Sequence, residues 1–359
     1  MRKTRKFQLN VRNGAVAPDG VRFVHVVSRT AGREILFDDD GKEMFSKILF
    51  KQLKFSGLRV YAWCFMGNHF HLLLEVPHRE EALARLSDED VLAKLSVFAN
   101  EKSTKFLLAE LEGCRRATNA AGVGRIAARV RARLFDLSMF MKELKLRFTL
   151  AYNFSSGRTG TLWEGPFRSV LVEPGEALRA VAGYIDLNTI RAGLVEKPED
   201  YRWCSYAAAV GGMRLARAGL KSAIYFAGEK HLSWEKAAAR YREYLYGVGQ
   251  EVKGARDAQE AAQARGKVKS KGGFSQQEIE EVLAAGGRLT IAQALRCRIR
   301  YFTAGAVLGS QEFVDRFFER QRESFGARRQ SGGRRMKGAQ WGELRVLRDL
   351  REEVLRAPS

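Results

Sequence analysis

Cysteine is scarce in this sequence, with four residues in a chain of 359. They lie far apart, at positions 64, 114, 204 and 297, and no Cys-x-x-Cys pair or Cys/His zinc spacing is present. The spacing therefore excludes the common structural zinc motifs. We expect these cysteines to be reduced structural thiols in a cytoplasmic protein.

Long apolar runs are also missing, since no stretch approaches the roughly 20 residues that a membrane-spanning helix needs. The chain begins with a basic segment, residues 1–6, but no apolar stretch follows it. This pattern predicts neither a secretory signal nor a membrane anchor. We find no internal repeat.

Acidic residues are too few to balance the basic ones. The chain has 41 Asp and Glu residues and 62 Lys and Arg residues, which gives a formal net charge of +21. Such an excess favours a polyanionic partner, most simply DNA, and a location in the cytoplasm with the nucleoid. An anionic membrane surface is the alternative. Hydrophobic residues make up 45% of the chain, which is enough for a core of ordinary size.

The first part of the chain has the pattern of a split β-α-β unit. The residue pattern predicts a strand at 21–28, a helix at 38–55, and two further strands at 58–66 and 69–76. Gly67-Asn68 between the last two is a strong signal for a tight turn. We therefore predict an α/β fold with a ferredoxin-like antiparallel sheet and helices on one face.

The rest of the chain sets the predicted domain limits. Residues 1–228 form one domain, in which residues 78–150 are a charged helical insertion and residues 167–172 a fourth strand. Within the insertion we predict a loop at 115–124 and a helix at 125–145, followed by an exposed loop at 153–166. A helix is predicted at 176–191. Residues 229–273 hold a helix and a polar linker, and residues 274–359 a basic helical C-terminal region.

The most informative motif is a pair of histidines in the third predicted strand. His69 and His71 are two residues apart, so they point to the same side of a strand while Phe70 points to the other. Two imidazoles on one face can bind a divalent metal ion together with further ligands. The alternative is a pair of partly buried histidines bonded to backbone groups.

Several segments resemble a known family of DNA transposases. Residues 67–73, Gly-Asn-His-Phe-His-Leu-Leu, resemble the histidine–hydrophobe–histidine motif of the HUH single-strand transposases with one catalytic tyrosine, the IS200-like group. Residues 157–165, 184–195 and 198–206 are similar to the REP-associated tyrosine transposase branch. The resemblance covers residues 21–206. It implies an HUH fold and a metal-dependent transposase that cleaves and rejoins single-stranded or hairpin DNA through a covalent 5′-phosphotyrosine.

The resemblance also implies a role for particular residues. Tyr184 would be the nucleophile, His69 and His71 the metal ligands, and Asn188 the third ligand, with Mg²⁺ or Mn²⁺ as the metal. Tyr184 and Asn188 are four residues apart on a predicted helix and so share a face. The alternatives are a core position for Tyr184, or Tyr152 as the nucleophile.

The sequence departs from the family pattern at two positions of this helix. Asp186 stands where a histidine is frequent, and Thr189 where a proline is frequent. Neither change removes a group that the resemblance assigns to catalysis. Asp186 would add a carboxylate, although its expected direction on the helix is away from Tyr184.

Basic and aromatic residues outside these motifs are candidates for DNA contact, since Arg can bind phosphate and Trp can stack on a base. The alternative for Trp163 is that it anchors its loop to the core, and the alternative for the C-terminal arginines is a solvated charge run. The candidates are Arg158, Trp163, Arg168, Arg191, Arg328, Arg329, Arg334 and Arg335.

Two other functions are compatible with the sequence. One is a non-catalytic nucleic-acid-binding protein, a repressor or architectural factor, on the same fold. The other is a nuclease in which water attacks the phosphodiester. The resemblance leaves open whether the protein is a monomer or a homodimer.

Overall fold

The computed structural model describes residues 21–226, 232–246, 290–295, 299–304, 306–325, 329–337 and 339–347. The chain divides into two compact units. The first comprises Met1–Val60 and Phe65–Leu171, and the second Tyr61–Cys64 and Val172–Ser359. The domain limits at residues 228 and 273 stay a prediction, and residues 247–273 of the predicted helix-and-linker segment lie outside the described residues.

Four strands, most of whose residues belong to the first unit, follow the ferredoxin-like order. They are β1 (Arg22–Arg29), β2 (Arg59–Met66), β3 (His69–Val76) and β4 (Arg168–Val172). Neighbours in the sheet run β2-β3-β1-β4, and β1 and β3 are antiparallel. One helix connects β1 to β2, and a longer helical segment connects β3 to β4. This topology confirms the predicted mixed α/β fold.

Two helices of the first unit cover one face of these strands. Helix α1 (Asp39–Ser56) begins where the Asp38 carboxylate accepts a hydrogen bond from Gly41 N, and it ends at Gly57, whose φ is +78°. The remaining helices of the unit are α2 (Arg79–Ala84), α3 (Asp88–Ala93), α4 (Lys102–Arg116), α5 (Ala120–Arg131) and α6 (Leu137–Ser156), with short 3-10 helices at Ala31–Arg33 and Lys94–Phe98.

An aromatic core joins α1 and α6 to the sheet. The Phe70 ring lies 4.6 Å from Phe45 and 5.8 Å from Trp163, and Phe37 stacks on Phe148 at 5.0 Å between ring centroids. Phe70 therefore points to the helix-covered face. The neighbouring side chains of β3 point to the opposite face, as strand alternation requires.

The helical insertion packs in a separate hydrophobic cluster, which includes Leu95, Ile126 and Leu134 of the insertion and Phe55 of α1. Its helix limits differ from those predicted, because α5 starts within the predicted loop at 115–124 and the predicted helix at 125–145 is interrupted between α5 and α6. Two caps explain this. Asn119 accepts from Gly122 N at 2.9 Å, and Asp136 accepts from Met139 N at 2.7 Å.

The described part of the second unit is mainly helical, and it contains three short strands that the sequence did not predict. Strands of two or three residues are too short to give an alternating pattern. The strands β5 (Val307–Gly309), β7 (Arg345–Val346) and β6 (Arg334–Arg335) pair antiparallel in this order. The helices are α7 (Glu176–Asp186), α8 (Asn188–Arg191), α9 (Ser205–Val210), α10 (Arg214–Phe226), α11 (Trp234–Tyr246), α12 (Ile291–Leu295), α13 (Arg300–Ala304) and α14 (Gln311–Arg320), with 3-10 helices at Pro198–Asp200 and Arg322–Ser324.

Among the described residues, no helix has both the length and the apolar composition that are needed to cross a membrane.

Candidate functional site

The two motif histidines lie side by side at the start of β3. Their ring centroids are 5.1 Å apart and their planes are inclined by 74°. His71 is buried, with 2% of its surface exposed, and His69 is half-buried. The prediction that they share one face, opposite Phe70, agrees with this geometry.

The ring of His69 is oriented by the turn before it. His69 Nδ1 lies 2.7 Å from Asn68 Oδ1, while Asn68 Nδ2 donates to Arg33 O at 3.2 Å. Since the amide nitrogen is used in that second bond, Oδ1 is the atom that faces His69, and it can only accept. A hydrogen bond to this oxygen requires a proton on His69 Nδ1.

The ring of His71 contacts a third histidine, which the sequence analysis did not single out. His25 Nε2 lies 2.9 Å from His71 Nδ1, and the two rings stack at 5.1 Å with an inclination of 21°. His25 is fully buried in β1. The available signal was a histidine in the middle of an apolar run, residues 23–27, but nothing in the sequence identified its partner.

The hydrogen bonding of the histidine pair is of the kind found in sites for divalent metals. Protein histidines that bind metals usually have the other ring nitrogen hydrogen-bonded, which fixes the ring. In both His69 and His71 the nitrogen with a described contact of this kind is Nδ1. Within the described part of the chain, no group of three or more His, Cys, Asp or Glu side chains is placed to hold a metal ion.

The loop after α6 lies next to the turn that carries Asn68 and His69. Thr30 donates through both N and Oγ1 to Asn68 O, at 3.0 Å each. The same residue forms an antiparallel bridge with Trp163, and Ala31 N donates to Leu162 O at 2.9 Å. The segment that follows β1 is therefore bonded to the turn and to the loop.

Two side chains of this loop have different environments. Arg158 is exposed and pairs with Glu34 at 2.6 Å, and this hydrogen bond lowers the pKa of the Glu34 carboxyl. Trp163 is only 8% exposed, and its Nε1 donates to Thr149 Oγ1 at 3.0 Å and to Lys145 O at 3.3 Å. The burial and these two hydrogen bonds match the alternative interpretation of Trp163, in which the side chain anchors its loop to the core. Arg168 is exposed at the start of β4.

Tyr184 belongs to the second unit, near the end of α7. It is 2% exposed, and its ring meets the Phe302 ring edge-on at 5.2 Å. The guanidinium of Arg191 lies 3.9 Å from the centroid of the Tyr184 ring. The predicted helix at 176–191 is interrupted at Leu187 (φ −82°, ψ 2°), after which α8 begins with Asn188.

Arg191 links the other residues of this helix pair. It donates to Tyr184 O at 2.6 Å, to Asn188 Oδ1 and to Leu295 O, and it is 8% exposed. Among the described residues, Asn188 Nδ2 has no hydrogen-bond partner. Tyr184, Asn188 and Arg191 thus form one cluster within the second unit, and their assigned roles remain predictions.

The carboxylate of Asp186 is engaged elsewhere in the second unit. It accepts hydrogen bonds from Ser205 Oγ at 2.6 Å, Tyr206 N at 3.0 Å and Tyr241 OH at 2.8 Å. Burial raises the pKa of Asp186 to about 6, although these three hydrogen bonds oppose the rise. Asp186 therefore joins α7 to α9 and α11.

The predicted basic arm contains side chains of two kinds. Arg334 and Arg335 are exposed in β6. Arg329 is folded back, donating to Ser331 O at 3.1 Å, to Gly332 O at 2.8 Å and to Leu347 O. Arg328 lies outside the described residues.

The chain shows little similarity to known proteins. No family model matches the chain, and no curated protein matches it. One solved structure with detectable similarity is described as a REP-associated tyrosine transposase bound to a REP hairpin. It is 15% identical, the match covers 54% of this chain and 81% of that chain, and the TM-score is 0.34.

Proposed function

We propose that this protein is a metal-dependent DNA strand transferase of the transposase type. It would cleave and rejoin single-stranded or hairpin DNA through a covalent 5′-phosphotyrosine on Tyr184. The observation that carries the proposal is the placement of His69 and His71 on one face, with Nδ1 of each ring hydrogen-bonded. The motif resemblance of residues 67–73 and 184–195 supports it.

His69 and His71 would bind Mg²⁺ or Mn²⁺ through Nε2, with Asn188 as the proposed third ligand. When bound, such an ion polarises a phosphate oxygen and stabilises the charge that develops on it. The half-buried position of His69 beside the loop of Arg158 supports this role, because DNA bound along the loop would pass close to the histidine.

Tyr184 would supply the nucleophilic oxygen. Its attack forms the Tyr–O–P bond and breaks the P–O3′ bond, so one strand end becomes a 5′-phosphotyrosine and the other a free 3′-OH. The departing O3′ receives a proton, and the tyrosine hydroxyl loses one. Rejoining reverses these steps with a 3′-OH as the attacking group. Arg191, 3.9 Å from the Tyr184 ring centroid, would attract the phosphate.

DNA is the proposed partner because the net charge of +21 favours a polyanion. Exposed arginines at Arg168, Arg334 and Arg335 and the loop arginine Arg158 are the proposed backbone contacts. Homodimer formation stays a prediction.

A second candidate is a DNA-binding protein without catalytic activity. The observation that favours it is the cluster around Tyr184, in which the ring is 2% exposed and the Asn188 carbonyl oxygen is already bound by a guanidinium. A divalent cation at that oxygen would be repelled by Arg191. This candidate predicts DNA binding that is indifferent to chelators, to His69→Ala and to Tyr184→Phe.

A denaturing gel separates the candidates. The full chain is incubated with 5′- and 3′-labelled single-stranded and hairpin DNA pools, with Mn²⁺ or with EDTA. A labelled band of protein size that requires Mn²⁺ and is lost in Tyr184→Phe supports the transferase. Retarded DNA on a native gel without any cleavage supports the binding protein, and cut DNA without an adduct indicates a nuclease.

A further inference from the structure

We propose that His25 is a positioning residue for His71. It accepts a hydrogen bond from Nδ1 of His71 and thereby holds the Nε2 lone pair of His71 ready for a divalent cation. The cation itself belongs to the proposed function, on which this part of the inference rests. The orientation of the two rings is a property of the protein alone.

The register of the sheet explains how the two histidines meet. His71 pairs with Val27 across the β1–β3 ladder, and His25 pairs with Leu73. His25 and His71 are therefore diagonal neighbours on the same face, where long side chains of adjacent strands reach each other. The 46 residues that separate them in sequence hide this contact from any local pattern.

The 2.9 Å contact between His71 Nδ1 and His25 Nε2 allows either ring to donate, and the proposed metal site selects the direction. A neutral imidazole that binds a metal through Nε2 must carry its proton on Nδ1. His71 is then the donor of the hydrogen bond and His25 Nε2 the acceptor. A neutral His25 must in turn carry its own proton on Nδ1, so both rings are in the same tautomer.

His25 is not suited to be a third metal ligand alongside His69 and His71. The nitrogen that it would use, Nε2, is the one that lies against His71 Nδ1. The stacked rings, inclined by only 21°, keep this contact, whereas His69 and His71 are inclined by 74°. His25 thus acts through His71, in the way that outer partners orient metal-binding histidines.

Burial makes the acceptor necessary. His25 and His71 are 0% and 2% exposed, so water does not replace a missing partner of the Nδ1 proton. His25→Leu would remove this acceptor and favour the other tautomer of His71, with the proton on Nε2. A glutamine would offer a carbonyl oxygen as acceptor and keep the original tautomer.

The first test is the tautomer itself. The chain has five histidines, so ¹⁵N-histidine labelling of the full chain gives a simple two-bond ¹H–¹⁵N spectrum. We expect His71 and His25 to show a protonated Nδ1 and an unprotonated Nε2. His25→Leu should shift His71 towards the Nε2-protonated form, and His25→Gln should restore it. A wild-type His71 protonated on Nε2 would overturn the proposal.

The second test is metal affinity, measured by titrating the full chain with Mn²⁺ and detecting the free ion by electron paramagnetic resonance. Loss of an outer partner of a metal-binding histidine typically weakens affinity by about 10–100-fold, and we expect this for His25→Leu. His25→Gln should recover most of the affinity. Val26→Ala, a buried change on the opposite face of β1, controls for general destabilisation and should leave affinity unchanged.

The two proposals fail in different ways. If His69→Ala abolishes Mn²⁺ binding but His25→Leu leaves it intact, the positioning role is wrong and the metal site stands. If wild-type protein binds no Mn²⁺ while His71 has the expected tautomer, the proposed metal-dependent function is wrong and the orienting contact stands. If His25→Leu and Val26→Ala weaken binding equally, the effect is one of stability and positioning is refuted.

Discussion

At the scale of single residues, the buried carboxylate of Asp186 links the stability of the second unit to pH. Its pKa is raised from 3.8 to about 6, so the folded state binds the proton more tightly than the unfolded state. The stabilising contribution of this group is therefore complete below about pH 4 and is lost as pH rises through about 6. The difference corresponds to about 3 kcal/mol at most.

We predict that Asp186→Asn removes this pH dependence. Relative to wild type, the variant should gain stability between pH 4 and pH 7, because the amide keeps the hydrogen bond from Tyr206 N without a buried charge. Urea unfolding at several pH values measures the change. Tyr241→Phe deletes one donor to the carboxylate and should extend the pH-dependent range upwards. Parallel pH profiles of wild type and Asp186→Asn would refute the account.

Trp163 is another residue for which the structure makes a specific prediction. Because its ring is buried among Phe37, Phe70 and Phe148, Trp163→Ala should lower the free energy of unfolding by about 3–5 kcal/mol. Arg158→Ala changes an exposed side chain of the same loop and should leave unfolding nearly unchanged while it weakens DNA binding. A stable Trp163→Ala protein with weakened DNA binding would instead favour base stacking.

Some residues of the candidate site could be predicted from the sequence and others could not, for a physical reason. The shared face of His69 and His71 follows from strand alternation, which is local. The contact of His25 with His71 depends on strand register across 46 residues, and the contacts of Arg191 with Leu295 O and Arg329 with Leu347 O also depend on tertiary structure. No local pattern specifies such pairings.

At the scale of secondary-structure elements, a buried ion-pair network fixes α6 to its neighbours. Glu143 on α6 accepts hydrogen bonds from Arg133, from Gln52 on α1 and from Arg147. Burial tends to raise the pKa of Glu143, but the hydrogen bonds and charges of these partners outweigh it, and the pKa is lowered. The network therefore depends on the ionised carboxylate.

We predict that Glu143→Ala lowers the free energy of unfolding by about 3–5 kcal/mol, because it removes the carboxylate partner of Arg133 and leaves Arg147 paired with Glu101 alone. Glu110→Ala removes the exposed pair with Arg129 and serves as the matched control, with an expected loss of at most about 1 kcal/mol. Chemical denaturation compares the two. Equal losses would mean that the network does not stabilise α6.

The elements of the ferredoxin-like sheet were predictable because each has a strong local signal. The Gly67-Asn68 turn, the acidic start of α1 and the runs of β-branched residues place them within a residue or two of the structure. The helix limits within the insertion depend on single caps at Asn119 and Asp136, which the continuous apolar pattern obscured. The strands β5 to β7 are too short for any periodicity.

At the scale of the whole molecule, the net charge of +21 predicts DNA binding that weakens steeply with salt. Replacing the exposed pair Arg334 and Arg335 with alanine should reduce the slope of log K against log salt by about 2, if each neutralises one phosphate. Arg329→Ala is the control, since that side chain is bonded to backbone carbonyls and its loss should reduce stability instead. Fluorescence anisotropy at several salt concentrations gives the slopes, and an unchanged slope for the double variant would exclude these arginines as phosphate contacts.

A covalent bond between Tyr184 and DNA is the defining step of the proposed reaction, and peptide mass spectrometry of the digested protein tests it directly. The full chain is incubated with single-stranded and hairpin DNA and Mn²⁺, digested, and searched for peptides that carry a 5′-phosphorylated nucleotide. We predict the modification on the peptide that contains Tyr184, and its absence with EDTA and in Tyr184→Phe. A modification on Tyr152, or one that persists in Tyr184→Phe, would contradict the account.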